Sequence, residues 1–401
     1  MTATHNTNGT ASSAPVLYLA LDLGASTWKL AFSVGLSQKP RIKTINARST
    51  LSLVFEIRAA KKRFGLPEDA PVVCCYEAGR DGFWLHRFLL DQGVQNQVVD
   101  SSSIEVNRRR RRAKSDSLDA AKLVEMLIRW HNGERKVWST VHVPTVEQED
   151  QRQLHREMLK LKAERTAQGN SIKGLLAGLG LCVIVDETLP TQLENLRQWD
   201  GAKLPPLLHQ RLLREFQRWQ LIDRQIHELE AERMAKIRDD KTPHVEKVRR
   251  LLNLKGIGDN GAWLLVYEFF AWRVIKNRRE LASLAGLTPT PYASGESQRE
   301  QGISKAGNRR VRFMITELAW GWLRYQPESE LSQWYMRRFG RGNKRLRKVG
   351  IMALARKLLI ALWKYVEGGE APAGAEELGW DNKPRFRAVK SKRKQEVLQT
   401  G

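Results

Sequence analysis

The chain has only three cysteines in 401 residues, Cys74, Cys75 and Cys182, and their spacing fits neither a zinc site nor a disulfide framework. Adjacent Cys74 and Cys75 within an apolar run suggest instead a buried strand in a reducing compartment. No run of 18 apolar residues and no basic-then-apolar leader is present, which excludes a membrane-spanning helix and a secretory signal and predicts a soluble, cytoplasmic protein. Acid is also scarce. The 44 Asp and Glu stand against 68 Lys and Arg, a formal charge of +24 and a sequence pI of about 10.2. An excess this large favours a polyanionic partner through phosphate neutralisation and counterion release, and so predicts association with the nucleoid rather than with a membrane.

A chain of this length is expected to hold two or three domains. Residues 1–15, MTATHNTNGTASSAP, are small, polar and aperiodic and are expected to be a disordered leader. Residues 16–145 alternate strands and helices: VLYLALDLGASTWKLAFSV reads as strand, turn and strand, LSLVFEIRAAKKRFGL as helix, APVVCCYEA as buried strand, GFWLHRFLLDQG as a helix ended by Gly93, and NQVVD as strand. That alternation is an α/β signature. Residues 146–243 carry two long charged helices with apolar positions at i, i+3, i+4 and i+7, an antiparallel hairpin or a dimerising coiled coil. Residues 244–368 form a third, mainly helical region. Its LKGIG turn at 254–258 is either an αα-corner or a glycine turn that lets a phosphate approach a helix N-terminus. A Gly/Ser/Thr-rich loop then enters a basic helix, and residues 369–401 end as a basic tail.

Four acids stand where such a fold places chemistry. Asp22 ends the first strand in LALDLG and Glu77 ends another in CCYEAG, and carboxylates just past strands lie at the carboxyl edge of an α/β sheet. Asp116 and Asp119 open a helix directly after the five arginines Arg108–Arg112. One account of the pair is capping, with Asp116 at the N-cap and Asp119 complementing the helix dipole. The other is a metal site, since residues i and i+3 share a helix face. Four acids from three elements suit two divalent ions acting on a phosphodiester, and hard Mg²⁺ prefers carboxylate oxygens. LDLGASTWKL also looks like the first phosphate loop of actin-like kinases, but the second Asp-Gly-Gly-rich loop and the Gly-Gly adenosine motif of those enzymes are absent.

Asp22, Glu77 and KSDSLDAAKL, followed by LKGIGDNGAWLL, LAGLTP, SGESQREQGISKAGN and a basic helix, resemble the DEDD-type insertion-sequence transposases of the "one-ten" group, related to the Piv and MooV DNA invertases. The resemblance runs in order from about residue 16 to 368. It implies an RNase H-like (RuvC-like) α/β N-terminal domain, a helical coiled-coil connector, and a mainly α C-terminal transposase domain with a helix-hairpin-helix-like turn. By the same resemblance Asp22, Glu77, Asp116 and Asp119 bind Mg²⁺ or Mn²⁺, and a C-terminal serine forms a covalent phosphoserine link to cleaved DNA. Ser294 in ASGES is the first choice, with Ser304 as main competitor and Ser297 nearby. The partners implied are DNA, as element ends and target, and a second copy of the chain in a homo-oligomer. A structured guide RNA encoded by the element, used by some members, is permitted. The competing functions are a junction-resolvase-like nuclease that uses the acids with water, and a nucleic-acid-binding protein without catalysis.

Overall fold

The computed structural model describes residues 15–104, 116–294 and 297–382, with the side chains of 116–118 and 291–301 left aside. The leader up to residue 14, the Arg108–Arg112 run and the tail from 383 lie outside the described residues. The chain divides into two compact units, Met1–Pro144 and Thr145–Gly401.

The first unit is built on strands β1 (Leu17–Leu23), β2 (Thr27–Ser33) and β3 (Arg41–Asn46), helix α1 (Thr50–Arg63), strand β4 (Val72–Glu77), helix α2 (Trp84–Asp91), strand β5 (Gln95–Val99) and helix α3 (Asp116–His131). The sheet order is β3-β2-β1-β4-β5. Strand β1 runs antiparallel to β2 and parallel to β4, and β4 runs parallel to β5. The three-residue turn from β1 into β2 requires Gly24, because a Cβ there would sit 2.5 Å from the Thr27 carbonyl oxygen. β1 and β4 are buried on both faces, which accounts for their near-continuous apolar runs.

Period-two alternation divides those runs between two cores. Leu17, Leu19, Leu21, Val72, Cys74 and Tyr76 face α1 and α2. Tyr18, Ala20, Val73 and Cys75 face α3, through Ala120, Leu123, Val124 and Leu127. Both expected strand cysteines are thus buried, while Cys182 is exposed. Strand β3, RIKTIN, is an addition to the sequence expectations. It is an edge strand with Ile45 as its one buried residue, so its pattern carries little apolar signal. The result is a mixed five-stranded α/β unit, consistent with an RNase H-like domain.

The second unit opens with α4 (Val146–Asp150), whose capping box pairs Thr145 with Gln148. It continues through α5 (Gln153–Ala177), α6 (Leu189–Asn195) and α7 (Pro206–Asp239). Within one chain α5 and α7 form an antiparallel hairpin: Lys162 pairs with Glu230 at 2.7 Å, Arg165 with Asp223, and Gln168 with Glu215.

Helices α8 (Pro243–Asn253) and α9 (Asp259–Leu265) flank the LKGIG turn. Packing accounts for its first glycine. Gly256 has φ +86°, and a Cβ on it would lie 2.9 Å from the Tyr325 Cβ. Asp259, at the start of α9, is bound to the buried guanidinium of Arg233. A π-helix, Val266–Phe270, follows, and then α10 (Arg278–Leu284).

Residues 289–303, expected as a loop, form a β-hairpin of β6 (Pro289–Ser294) and β7 (Ser297–Ile303), paired from Pro289↔Ile303 to Ser294↔Ser297. Prolines are tolerated because a two-stranded ribbon is all edge. Helices α11 (Arg309–Tyr325), α12 (Glu330–Phe339) and α13 (Lys344–Gly368) complete the unit. Among the described residues no helix is long and apolar enough to cross a membrane.

Candidate active site

The register of β1 on β4 pairs Leu21 with Tyr76, so the next residues along, Asp22 and Glu77, stand side by side at the carboxyl ends of two parallel strands. Neighbouring strands are about 4.8 Å apart. Alternation also gives both acids the face that carries Ala20 and Cys75, the face covered by α3. On α3, Asp119 lies one turn before Leu123, which packs into that same core. A cleft of about 420 Å³ follows, lined by Asp22, Glu77 and Asp119 together with Leu123 and the segment Ala78–Gly82.

Three of the four acids expected from the sequence therefore line one cleft. The fourth, Asp116, is the first residue of α3, and its side chain lies outside the described residues. The electrostatic reach of the site is visible at Cys75, whose thiol is pushed up by burial first and by the charge of Glu77 second. Hard oxygen donors presented from adjacent strand ends and a covering helix fit a divalent cation such as Mg²⁺. Among the described residues they line an open cleft and are not drawn into a closed cage of three or more ligands.

The cleft holds a further acid that the sequence pattern does not single out. Asp81 sits in the turn after β4 with its side chain only 5% exposed, and it binds Arg48 at 3.1 Å and Arg80 at 3.3 Å. Those two guanidiniums balance its charge and give it an anchoring part rather than a ligand's part. Arg48 itself adopts φ +64°, an uncommon conformation for a non-glycine residue. The available signal is the string EAGRDG, charged residues in a glycine turn directly after a strand.

The serines occupy distinct places in the second unit. Ser294 ends β6 opposite Ser297, at the tip of the hairpin. Ser304 lies at the base, where its backbone N–H donates to the Thr288 carbonyl and its hydroxyl receives a 3.1 Å hydrogen bond from Thr288 Oγ1.

The same unit contains a buried polar network. Arg156 donates two hydrogen bonds, 2.6 and 2.9 Å, to Glu268 on the π-helix. Burial pushes the Glu268 carboxyl up, but those bonds and the charges of Arg156, Arg310 and Arg152 outweigh it and hold the group below its ordinary range. His155, 1% exposed, is lowered to about 4, chiefly by burial and then by the charge of Arg233.

Residues 248–335 match the model of the transposase IS116/IS110/IS902 family. The chain is 39% identical over 374 residues to y4rJ of Sinorhizobium fredii, a transposase by name, covering 90% of this chain and 94% of that one. It is 28% identical over 266 residues to the transposase for insertion sequence element IS1328 of Yersinia enterocolitica, covering 64% of this chain and 72% of that one. With the transposase for IS1111A of Coxiella burnetii the identity is 25% over 245 residues, covering 60% and 63%.

Proposed function

Because the chain belongs to the IS116/IS110/IS902 family of transposases, enzymes of DNA phosphoryl transfer, we propose that it excises and inserts its own mobile element, with the acid cleft as its metal site and Ser294 as its nucleophile. The observation that carries this reading is the meeting of Asp22, Glu77 and Asp119 in one cleft at the carboxyl edge of a mixed sheet. In the same reading the first unit is an RNase H-like catalytic domain, and Asp116 completes the acid set from the first turn of α3.

Asp22, Glu77, Asp116 and Asp119 would hold Mg²⁺ or Mn²⁺. A divalent ion bound there supplies charge stabilisation for a phosphoryl group and relieves the repulsion among the carboxylates. The protein's own part is to fix the acids. Two are set by strand register, one by the packing of Leu123, and the rim is held by the Arg48–Asp81–Arg80 contacts.

The Ser294 hydroxyl attacks a backbone phosphorus. The Ser294 Oγ–P bond forms as one P–O ester bond of the DNA breaks, the serine proton is lost to a base, and the departing DNA oxygen leaves as a hydroxyl. One ester replaces another, so the strand can be rejoined without ATP. The DNA ends, the target, a second copy of the chain and an element-encoded guide RNA belong to this reading as partners.

The test is to trap protein–DNA adducts in denaturing gels with a duplex carrying an element end. Wild type should give an adduct that Ser294→Ala abolishes. An undiminished adduct in Ser294→Ala removes the serine from its assigned part.

A further inference from the structure

The turn between α12 and α13 carries a concentration of charge for which the fold supplies no acidic partner among the described residues, though Arg338 lies over the Phe339 ring at 6.0 Å. Residues Arg337–Lys348 hold seven Lys and Arg, and no Asp or Glu occurs between Glu330 and Glu367. All seven cations are exposed, and none forms an ion pair among the described residues.

The structure of the turn is as unusual as its charge. Every residue from Asn343 to Val349 is exposed, and α13 becomes buried only at Gly350. Six residues of helix at 1.5 Å each therefore give roughly 9 Å of solvent-facing helix, tied to the core where the Tyr335 hydroxyl donates to the Arg347 carbonyl. This stretch is held firmly. Asn343 caps the helix by accepting from the Leu346 N–H, and Phe339 packs so closely on Gly350 that a Cβ there would lie 2.5 Å from its ring.

Charge and helix are in conflict here. The first turn of α13 contains no acid and begins with Lys344 and Arg345, at the end of the helix where the dipole is positive. A bound polyanion would relieve both the dipole and the mutual repulsion. The position in the unit is also informative. Thr316 of α11 lies 3.8 Å from Met352 of α13. The far ends of both helices meet neighbouring backbone, Gln326 donating to the Lys255 carbonyl and Arg250 to the Val366 carbonyl. The two helices thus run side by side in one sense and begin at one end. The β6–β7 hairpin springs from that end too, since Arg312, in the first turn of α11, donates to the Lys305 carbonyl just past the hairpin's base.

We propose that the α12–α13 turn is a docking prong for double-stranded DNA, entering a groove and gripping the phosphodiester backbone beside the Ser294 hairpin. It rests on the reading of the chain as a DNA-transposing enzyme and assigns that enzyme a backbone-binding surface. A helix of about 10–12 Å diameter matches a B-DNA major groove of about 12 Å, whereas the major groove of duplex RNA is deep and narrow. No exposed aromatic lies between Arg337 and Val349, so a stacking platform for single strands is not built here.

The full chain is titrated by fluorescence anisotropy, without divalent metal, against a labelled DNA duplex and an RNA duplex of the same sequence between 50 and 200 mM salt. The variant combines Arg341→Gln, Lys344→Gln, Arg345→Gln and Lys348→Gln, and its melting temperature is checked against wild type. Each phosphate that the variant no longer neutralises should flatten the plot of log affinity against log salt by about 0.9, so the DNA slope should become shallower by about three to four. A companion with Lys344→Arg and Lys348→Arg should keep the wild-type slope. An unchanged DNA slope overturns the proposal, including the case in which only RNA binding falls. Since no strand is cleaved in this assay, either outcome leaves the acid cleft and Ser294 to be judged by the adduct experiment alone.

Discussion

Asp22 and Glu77 stand side by side at the carboxyl ends of β1 and β4, one residue beyond the Leu21–Tyr76 pair, on the sheet face that α3 covers. Two carboxylates so placed repel each other in the folded protein, and a divalent cation held by both would relieve that repulsion. Asp22→Asn and Glu77→Gln should each lower metal-dependent strand cleavage by about 10²–10³-fold, the range seen when one preorganised electrostatic group is lost from an active site. The melting temperature of each variant is measured beside its cleavage rate. A fall in melting temperature that accounts for the lower cleavage would show the acids to be structural.

Of the three candidate serines, Ser294 and its main competitor Ser304 are separable by experiment. Ser304 accepts a hydrogen bond from Thr288 Oγ1 at the base of the hairpin, so Ser304→Ala should cost about 1 kcal/mol in denaturant unfolding while leaving the protein–DNA adduct intact. Ser294 ends β6 at the tip, and Ser294→Ala should remove the adduct. The reverse pattern would transfer the nucleophile to Ser304.

Much of this arrangement is legible in the sequence, and the gaps have physical causes. β1 and β4 announce themselves because a strand buried on both faces is apolar throughout, and their terminal acids stand out against that background. β3 stays silent because an edge strand with one buried residue lacks a pattern. The β6–β7 hairpin is hidden by its prolines and polar residues, which a ribbon tolerates and an inner strand does not. Asp81 does not stand out because its importance lies in two arginines, one of them 33 residues earlier in the chain, and sequence spacing does not reveal such a contact.

The buried histidine predicts an acid-sensitive second unit. His155 titrates at about 4 in the folded protein against an ordinary 6.5, so between those values the unfolded chain binds more protons. Stability contributed by the neutral ring is complete above about 6.5 and is lost as pH falls towards 4, by about 3.5 kcal/mol at about 1.4 kcal/mol per unit. Glu268, held below its ordinary range, adds its own destabilisation only below about 4.5, so the two windows scarcely overlap. His155→Gln should flatten the dependence of unfolding free energy on pH between 6.5 and 4.5, followed by urea titration at each pH. An unaltered slope in the variant would remove His155 as its source.

Gly256 tests whether the LKGIG turn is built for packing. A methyl group there meets both φ +86° and the Tyr325 Cβ at 2.9 Å. Gly256→Ala should cost about 1–3 kcal/mol from overpacking, with backbone strain added. If the turn serves packing alone, the folded variant should keep wild-type DNA affinity at temperatures well below its midpoint.

The cationic start of α13 makes a prediction in which stability and binding move in opposite directions. Lys344 and Arg345 occupy the turn where the helix dipole favours acids, and both are exposed and unburdened by packing. Lys344→Glu should therefore stabilise the free protein by about 0.3–1 kcal/mol at low salt, since it turns an unfavourable dipole interaction into a favourable one. The same change should weaken duplex DNA binding, because attraction to a phosphate is replaced by a repulsion. A residue kept merely for solubility has no reason to occupy a position where its opposite is the more stable choice. The pair of measurements, thermal melting of the free chain and anisotropy on duplex DNA, thus separates a surface retained for a ligand from a solvated face. A stabilised variant that binds DNA as wild type does would assign Lys344 to the solvated face.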